Sequence, residues 1–469
     1  MDSTISRRWG DCVFQLSAID HIQPRGYIRS ILCFPLGDGA SSHQVSSSLQ
    51  QALNATVSSW PIFGGTVVSL KGPEQRGRTE LHYFSPPSVF SSITVKHLSI
   101  EEFPYTYEEL DAQGIPLAPL CESLLCSVSS AATSDVAAPV LVVRANFIPG
   151  GLLLSICIHH GITDGRGSFL FVSAFAAACQ GGITAVPEMT NGACHPPSLF
   201  LECEDSGPKS HIAYDTFVKS TIQAAVPCED SDGVSNCLFT FPIDRLRQLK
   251  DAVSFHLLDP VNEWVTTHDC LSALLWSSIT HARRPNLHGK ANISTLATAV
   301  DVRPRVQPQL SPYYVSAAAV HAIAQTTLPE PSSATDSTPA GIAHLAQRIR
   351  HSIKAVNNSY VSETVSFAAS SPDLGKVDVR ADRRHGGADL IITSHRDFPW
   401  YELDFGELLG RPRWFRKPWS KDEGVVVILP QDKSDEDKGV EVLVLLARED
   451  MDRLLMDVDF MCWVGRASE

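Results

Sequence analysis

The sequence predicts an α/β or α+β fold divided into two similar-sized halves. Its 469 residues, 43% of them hydrophobic, are enough to bury a large core and to split it. Strand-like and helix-like segments alternate in both halves. Polar stretches at 202–210 and 229–233 interrupt that alternation near the middle. The expected division is therefore a first domain at 1–205, a crossover at 206–236 and a second domain at 237–469. No repeat of about 20 to 50 residues is present, which excludes a solenoid or propeller.

Taken in order, residues 140–147 and 152–158 are β-rich runs joined across Pro149-Gly150-Gly151, the pattern of a hairpin. Its second strand runs directly into His159-His160. After Gly165 and Gly167, residues 168–178 are apolar on all sides and stop at Gly181-Gly182, as a buried helix does. In the second half, Thr266-Thr267-His268-Asp269 leads into an apolar helix start at 270–276. Residues 340–356 carry Ile342, Leu345, Ile349 and Ile353 at helical spacing. Between these two helices, residues 329–339 are rich in Pro, Ser, Thr and Asp and read as a surface loop.

Composition narrows the function. With 38 Lys and Arg against 52 Asp and Glu, the formal charge is −14, which repels nucleic acid and anionic lipid. The start of the chain shows no apolar signal region, and no apolar run reaches about 18 residues, so neither secretion by that route nor a membrane span is expected. Twelve cysteines form no CxxC pair, and Cys33 and Cys157 lie in apolar runs where the thiol acts as a small hydrophobe. A cytoplasmic location is expected, without a disulfide framework or zinc knuckle. No carrier-protein domain or multidomain linker is visible, so a monomer acting on diffusible small molecules is expected.

The strongest chemical signal is His159-His160-Gly161-Ile162-Thr163-Asp164-Gly165. Its glycines permit a tight turn and close ligand approach. Neighbouring strand residues face opposite ways, so one histidine rather than both faces a site, which weighs against a shared metal ion. An imidazole titrating near pH 6.5 can accept a proton from a hydroxyl at neutral pH. The bland reading is a packed histidine beside a turn-capping aspartate. No G-x-S-x-G elbow occurs, and Ser155 has no context that marks it as a nucleophile. A second signal, Tyr401-Glu402-Leu403-Asp404-Phe405-Gly406-Glu407, reads as a strand leaving into a turn, with a structural role the default. A third, Asp301-Val302-Arg303-Pro304-Arg305, offers guanidinium groups for carboxylates or phosphates.

Together these segments resemble the BAHD acyltransferases, whose signatures are H-x-x-x-D-G, here His160 to Gly165, and D-F-G-W-G, here Asp404-Phe405-Gly406. Further landmarks are 16–20, 60–65, 266–276, 300–314 and 441–446, so the resemblance covers nearly the whole chain. The second signature departs: Glu407-Leu408-Leu409-Gly410-Arg411-Pro412 follows, without the tryptophan and with two added residues. Fungal members similar to the trichothecene acetyltransferases show this form.

The resemblance implies two chloramphenicol-acetyltransferase-like domains with a channel between them, entered by coenzyme A from one face and by the acceptor from the other. It implies His160 as general base, with no tightly bound cofactor or metal and an acyl-coenzyme A, acetyl-coenzyme A by family habit, as co-substrate. Asp164 then pairs with an arginine, Arg303 or Arg305, and holds the turn with Gly165; Asp404 and Gly406 are structural supports. Ser394, at the end of a strand passing the site, and Arg305 are assigned to the pocket. Among Arg411, Arg413, Arg416 and Lys417, the densest basic cluster, Arg411 and Arg413 are candidates for coenzyme A phosphates, against a solvated surface cluster as the alternative. Acetylation of a hydroxyl on a hydrophobic secondary metabolite is the leading function. The alternatives are N-acylation, a carrier-dependent condensation enzyme, and a non-catalytic metabolite-binding relative.

Overall fold

A computed structural model describes residues 10–37, 41–70, 76–85, 92–128, 137–181, 195–201, 210–217, 233–257, 263–287, 292–328, 338–381 and 383–469. Residues 1–9, most of the polar stretches at 202–210 and 229–233, and residues 329–337 of the expected loop lie outside the described residues.

The chain forms a mixed α/β fold with two principal sheets. One has five strands in the order Trp414–Arg416, Tyr27–Pro35, Gly151–His159, Leu141–Ile148 and Thr94–His97. The other has seven, in the order Ala319–Thr327, Ile293–Asp301, Leu390–Ser394, Val425–Ile428, Val440–Ala447, Val234–Phe241 and Arg466–Ser468. Trp414–Arg416 belongs to the second half of the sequence, yet it pairs antiparallel with Tyr27–Pro35, placing Phe415 opposite Leu32. Tyr214–Thr216, inside the stretch expected as a crossover, pairs with Val377–Val379.

Alternation along the strands builds two hydrophobic cores. In Val440–Ala447, Val442, Val444 and Leu446 enter one core with Trp276, Leu345 and Ile349. Leu443 and Leu445 enter the other with Phe34, Phe171 and Phe405. A strand buried on both faces reads as a continuous apolar run, and this one does. The predicted hairpin is present, with Leu141–Ile148 and Gly151–His159 paired in register and all nine residues of the second strand buried.

Three local expectations are corrected. The helix expected from residue 168 begins at Gly165 and runs Gly165–Cys179, because the Asp164 side chain accepts from the Gly167 N–H and starts it there. Pro339 belongs to a helix, Pro339–Ala355, rather than to the loop before it: Thr338 caps the helix and proline suits its first turn, where no N–H is needed. No strand passes through 401–412. A single 3₁₀ turn, Trp400–Glu402, is followed by turns at Gly406 and Gly410, both with positive φ, a backbone conformation that breaks a ladder.

Candidate functional site

The motif turn sits where the hairpin's second strand ends. His159 closes that strand opposite Tyr27. Its Nδ1 accepts from the Gly161 N–H at 3.1 Å, and burial pushes its pKa down to about 4. That ring is occupied in shaping the turn. His160 lies one residue beyond the strand and is anchored by its backbone N–H on the Gly26 carbonyl at 2.8 Å.

The His160 ring has a different environment. Its Nδ1 is enclosed without a well-formed hydrogen bond, in the company of the backbone of His160 and Thr163. Burial, chiefly, lowers its pKa below the usual 6.5, so the ring is neutral at neutral pH and holds a free lone pair.

Asp164, only 3% exposed, has no such freedom. Its Oδ1 accepts from Gly167 N–H at 2.9 Å and Arg303 Nη2 at 3.0 Å. Its Oδ2 accepts from Arg303 Nη1 at 2.9 Å and Ala318 N–H at 2.8 Å. Arg303, 2% exposed, spends its remaining donors on Tyr314 O, Ser316 O and Asp301 Oδ1. Burial alone would raise the Asp164 pKa, but Arg303 and the backbone donors hold it below the ordinary carboxylate value. A carboxylate with all four lone-pair sites committed has none left for an imidazole. Two further ties join this turn to the same segment of the second half. Thr163 Oγ1 donates to Val315 O at 2.6 Å, and a Cβ on Gly167 would lie 2.0 Å from that carbonyl.

Of the two arginines considered for Asp164, Arg303 makes the pair. Arg305 donates instead to the carbonyls of Ile353 and Val356, at 2.6 and 3.2 Å. Gly165 faces His395, whose ring would be 3.3 Å from a Cβ placed there. Ser394 ends the strand Leu390–Ser394, and its Oγ accepts from Arg396 N–H at 3.4 Å.

The segment around Asp404 lies at the far end of the helix that the motif begins. Asp404 Oδ1 accepts from Gly406 N–H at 2.9 Å, and its carbonyl accepts from Gln180 Nε2 at 2.8 Å. Phe405 packs edge-on against Phe34 and Phe175. Gly406 has φ +80°, and a Cβ there would sit 2.8 Å from the Cys179 carbonyl. These residues buttress the end of Gly165–Cys179.

The four basic residues at 411–417 do not share one surface. Arg416 is fully buried in a two-point pair with Glu441, at 2.8 and 2.9 Å. Arg413 pairs with Asp111 at 2.8 Å through a half-exposed side chain, and Arg411 is exposed. Lys417 points inward, its Nζ donating to Arg29 O at 3.0 Å. Burial and the neighbouring Arg29 lower its pKa to about 8. Sequence reasoning named Lys417 only as part of the basic cluster and left His395, next to Ser394, without a role; the structure turns both side chains inward. Among the described residues no group of three or more His, Cys, Asp or Glu is arranged to hold a metal ion. No described helix is long and apolar enough to cross a membrane.

The chain is similar to known proteins over nearly its whole length. A model of the Transferase family matches residues 4–461. Eremophilane O-acetyltransferase ORF8 of Penicillium roqueforti is 27% identical, covering 95% of this chain and 97% of that protein. Communesin N16 acyltransferase cnsK of Penicillium expansum is 26% identical over 96% of this chain and 97% of its own. Among solved structures, F. graminearum TRI101 complexed with coenzyme A and deoxynivalenol superposes with a TM-score of 0.80 at 23% identity, covering 97% of this chain and 99% of that one. Vinorine synthase gives 0.60 at 17% identity, covering 96% and 93%.

Proposed function

This chain belongs to the Transferase family, and we propose that it is a coenzyme A-dependent acyltransferase that acetylates a hydroxyl on a hydrophobic secondary metabolite. The observation that carries the reading is the contrast within one turn: a neutral His160 without a carboxylate partner beside an Asp164 wholly committed to Arg303 and two backbone N–H groups. Relatives named as O-acetyltransferases, such as the eremophilane enzyme, support the acetyl group and the hydroxyl.

In this reading residues 1–205 and 237–469 act as two domains flanking a channel, with 206–236 crossing between them. Coenzyme A enters from one face, past Arg411 and Arg413, and the acceptor from the other; Ser394 and Arg305 border the pocket. His160 Nε2 takes the acceptor's proton as its oxygen bonds to the thioester carbonyl carbon. The tetrahedral intermediate collapses with cleavage of the C–S bond, and His160 returns the proton to the departing thiolate. Because the thioester is already activated, no acyl-enzyme is required. Asp164 and Gly165 shape the turn and Arg303 fixes it, while Asp404 and Gly406 support the helix behind it. The protein works as a cytoplasmic monomer on diffusible substrates. An amine acceptor is a second reading, favoured by the communesin N16 acyltransferase among the relatives, since His160 need only remove a proton from the attacking atom.

Thiol release from acetyl-coenzyme A, measured with a panel of hydroxylated terpenoids, alkaloids and polyketides, tests this. His160→Ala should lower acceptor-dependent turnover about 10²- to 10⁴-fold while leaving coenzyme A binding in place. Turnover unchanged in a folded variant would remove His160 from the chemistry.

A further inference from the structure

We propose that His395 is a second functional imidazole of this site, donating a hydrogen bond to the oxyanion that forms on the thioester carbonyl while His160 accepts the acceptor's proton; this rests on the acyl-transfer reading above. His395 immediately follows Leu390–Ser394, and its backbone N–H donates to Ile428 O at 2.8 Å, so the seven-stranded sheet fixes where it stands. The ring is 5% exposed and packs near Phe398 and Phe415, with centroids at 5.6 and 6.3 Å. Its Cε1–Nε2 edge faces Gly165, the last residue of the H-x-x-x-D-G motif. The histidine thus brings the second half of the chain onto the motif turn.

Packing alone does not explain a histidine here. Its Nδ1 is enclosed and has no hydrogen-bond partner, a condition that destabilises a fold. A phenylalanine or leucine would fill the space without that cost. The charged and titratable groups around the ring are Lys417, His160 and Asp164. Asp164 is fully engaged by Arg303, Gly167 and Ala318. Lys417 makes one hydrogen bond, to the Arg29 carbonyl, and no ion pair among the described residues. No acceptor is left to satisfy the imidazole N–H, and the nearby positive charge is uncompensated. Because Nδ1 is enclosed, the N–H that meets a substrate is the one on Nε2, at the edge facing Gly165, and an oxygen that becomes negative there during the reaction answers both that donor and the lysine charge.

The step balances without an added reactant. As the acceptor oxygen bonds to the carbonyl carbon, its proton passes to His160 and the carbonyl π electrons move onto oxygen. The His395 Nε2–H hydrogen-bonds that oxyanion, and the Lys417 ammonium adds a favourable field. When the C=O re-forms, the C–S bond breaks and His160 protonates the sulfur. His395 donates throughout without losing its proton.

The test uses the full chain, acetyl-coenzyme A and an accepted hydroxylated substrate, with His395→Phe, His395→Gln and His160→Ala. His395→Phe should lower kcat about 10²- to 10³-fold, with the Kd for coenzyme A changed no more than about twofold. His395→Gln, which keeps an N–H donor, should recover at least about tenfold over Phe. If the Phe variant melts below the assay temperature, His395→Leu takes its place. A folded Phe variant within about threefold of wild-type kcat, a loss confined to KM, or Gln no better than Phe would overturn the assignment of His395 alone. Wild type that releases no thiol with any acceptor would overturn the acyl-transfer reading and this assignment with it.

Discussion

Asp164 and His160 lie on one turn, yet their surroundings differ in kind. The carboxylate accepts four hydrogen bonds, two from a guanidinium that itself has no donor to spare. The imidazole nearby, like that of His395 across the turn, has an enclosed nitrogen with no partner. Saturation marks a group that holds the fold, because any added interaction must break an existing one. An unmet hydrogen-bonding capacity, kept despite its cost, sets these two imidazoles apart from that carboxylate and is not explained by packing.

Removing each side of this comparison should give opposite signatures. The His160→Ala loss described above, the largest expected effect, falls on turnover and leaves the melting temperature almost unmoved. Asp164→Ala should instead unfold the protein more easily by about 3–5 kcal/mol, since it leaves the buried Arg303 charge and the Gly167 and Ala318 N–H groups without their acceptor. Chemical denaturation measures this, and stability within about 1 kcal/mol of wild type would break the distinction.

The remote support should behave as the saturated side does, more weakly. Gly406→Ala forces a side chain into a positive-φ position against the Cys179 carbonyl, at a cost of about 1–3 kcal/mol. The coenzyme A Kd of the folded fraction should be unchanged; an unaltered melting temperature would show that the turn can relax.

Acidity sharpens the contrast further. Because the folded pKa of His160 is lowered from 6.5, log(kcat/KM) should be flat at neutral pH and fall on acidification only below 6.5, by about one unit per pH unit. A break at or above 6.5 would mean that the titrating base is not this buried ring. His21, His159, His211 and His321 are each pushed down to about 4 by burial. The unfolded chain therefore binds more protons than the folded one between about 4 and 6.5. Their combined contribution to stability is full above 6.5 and is lost as pH falls toward 4, and melting temperatures across that window should show it.

The sequence by itself determined the α/β character, the hairpin running into the double histidine and the helix after it. Each is written in local periodicity: alternation in the strands, an all-round apolar helix, glycines at the turns. The family motifs likewise marked His160, Asp164, Asp404 and Gly406 for attention, with Arg303 or Arg305 as the partner of Asp164. What each one touches was another matter. Arg303 rather than Arg305 meets Asp164, Arg416 leaves its basic neighbours for Glu441, and Trp414–Arg416 joins a sheet built from the first half of the chain. His395 and Gly165 come together over more than two hundred residues of sequence. Periodicity reports which face of an element is buried. Which residues meet across two elements depends on how strands order and how cores pack, and only the tertiary structure decides that.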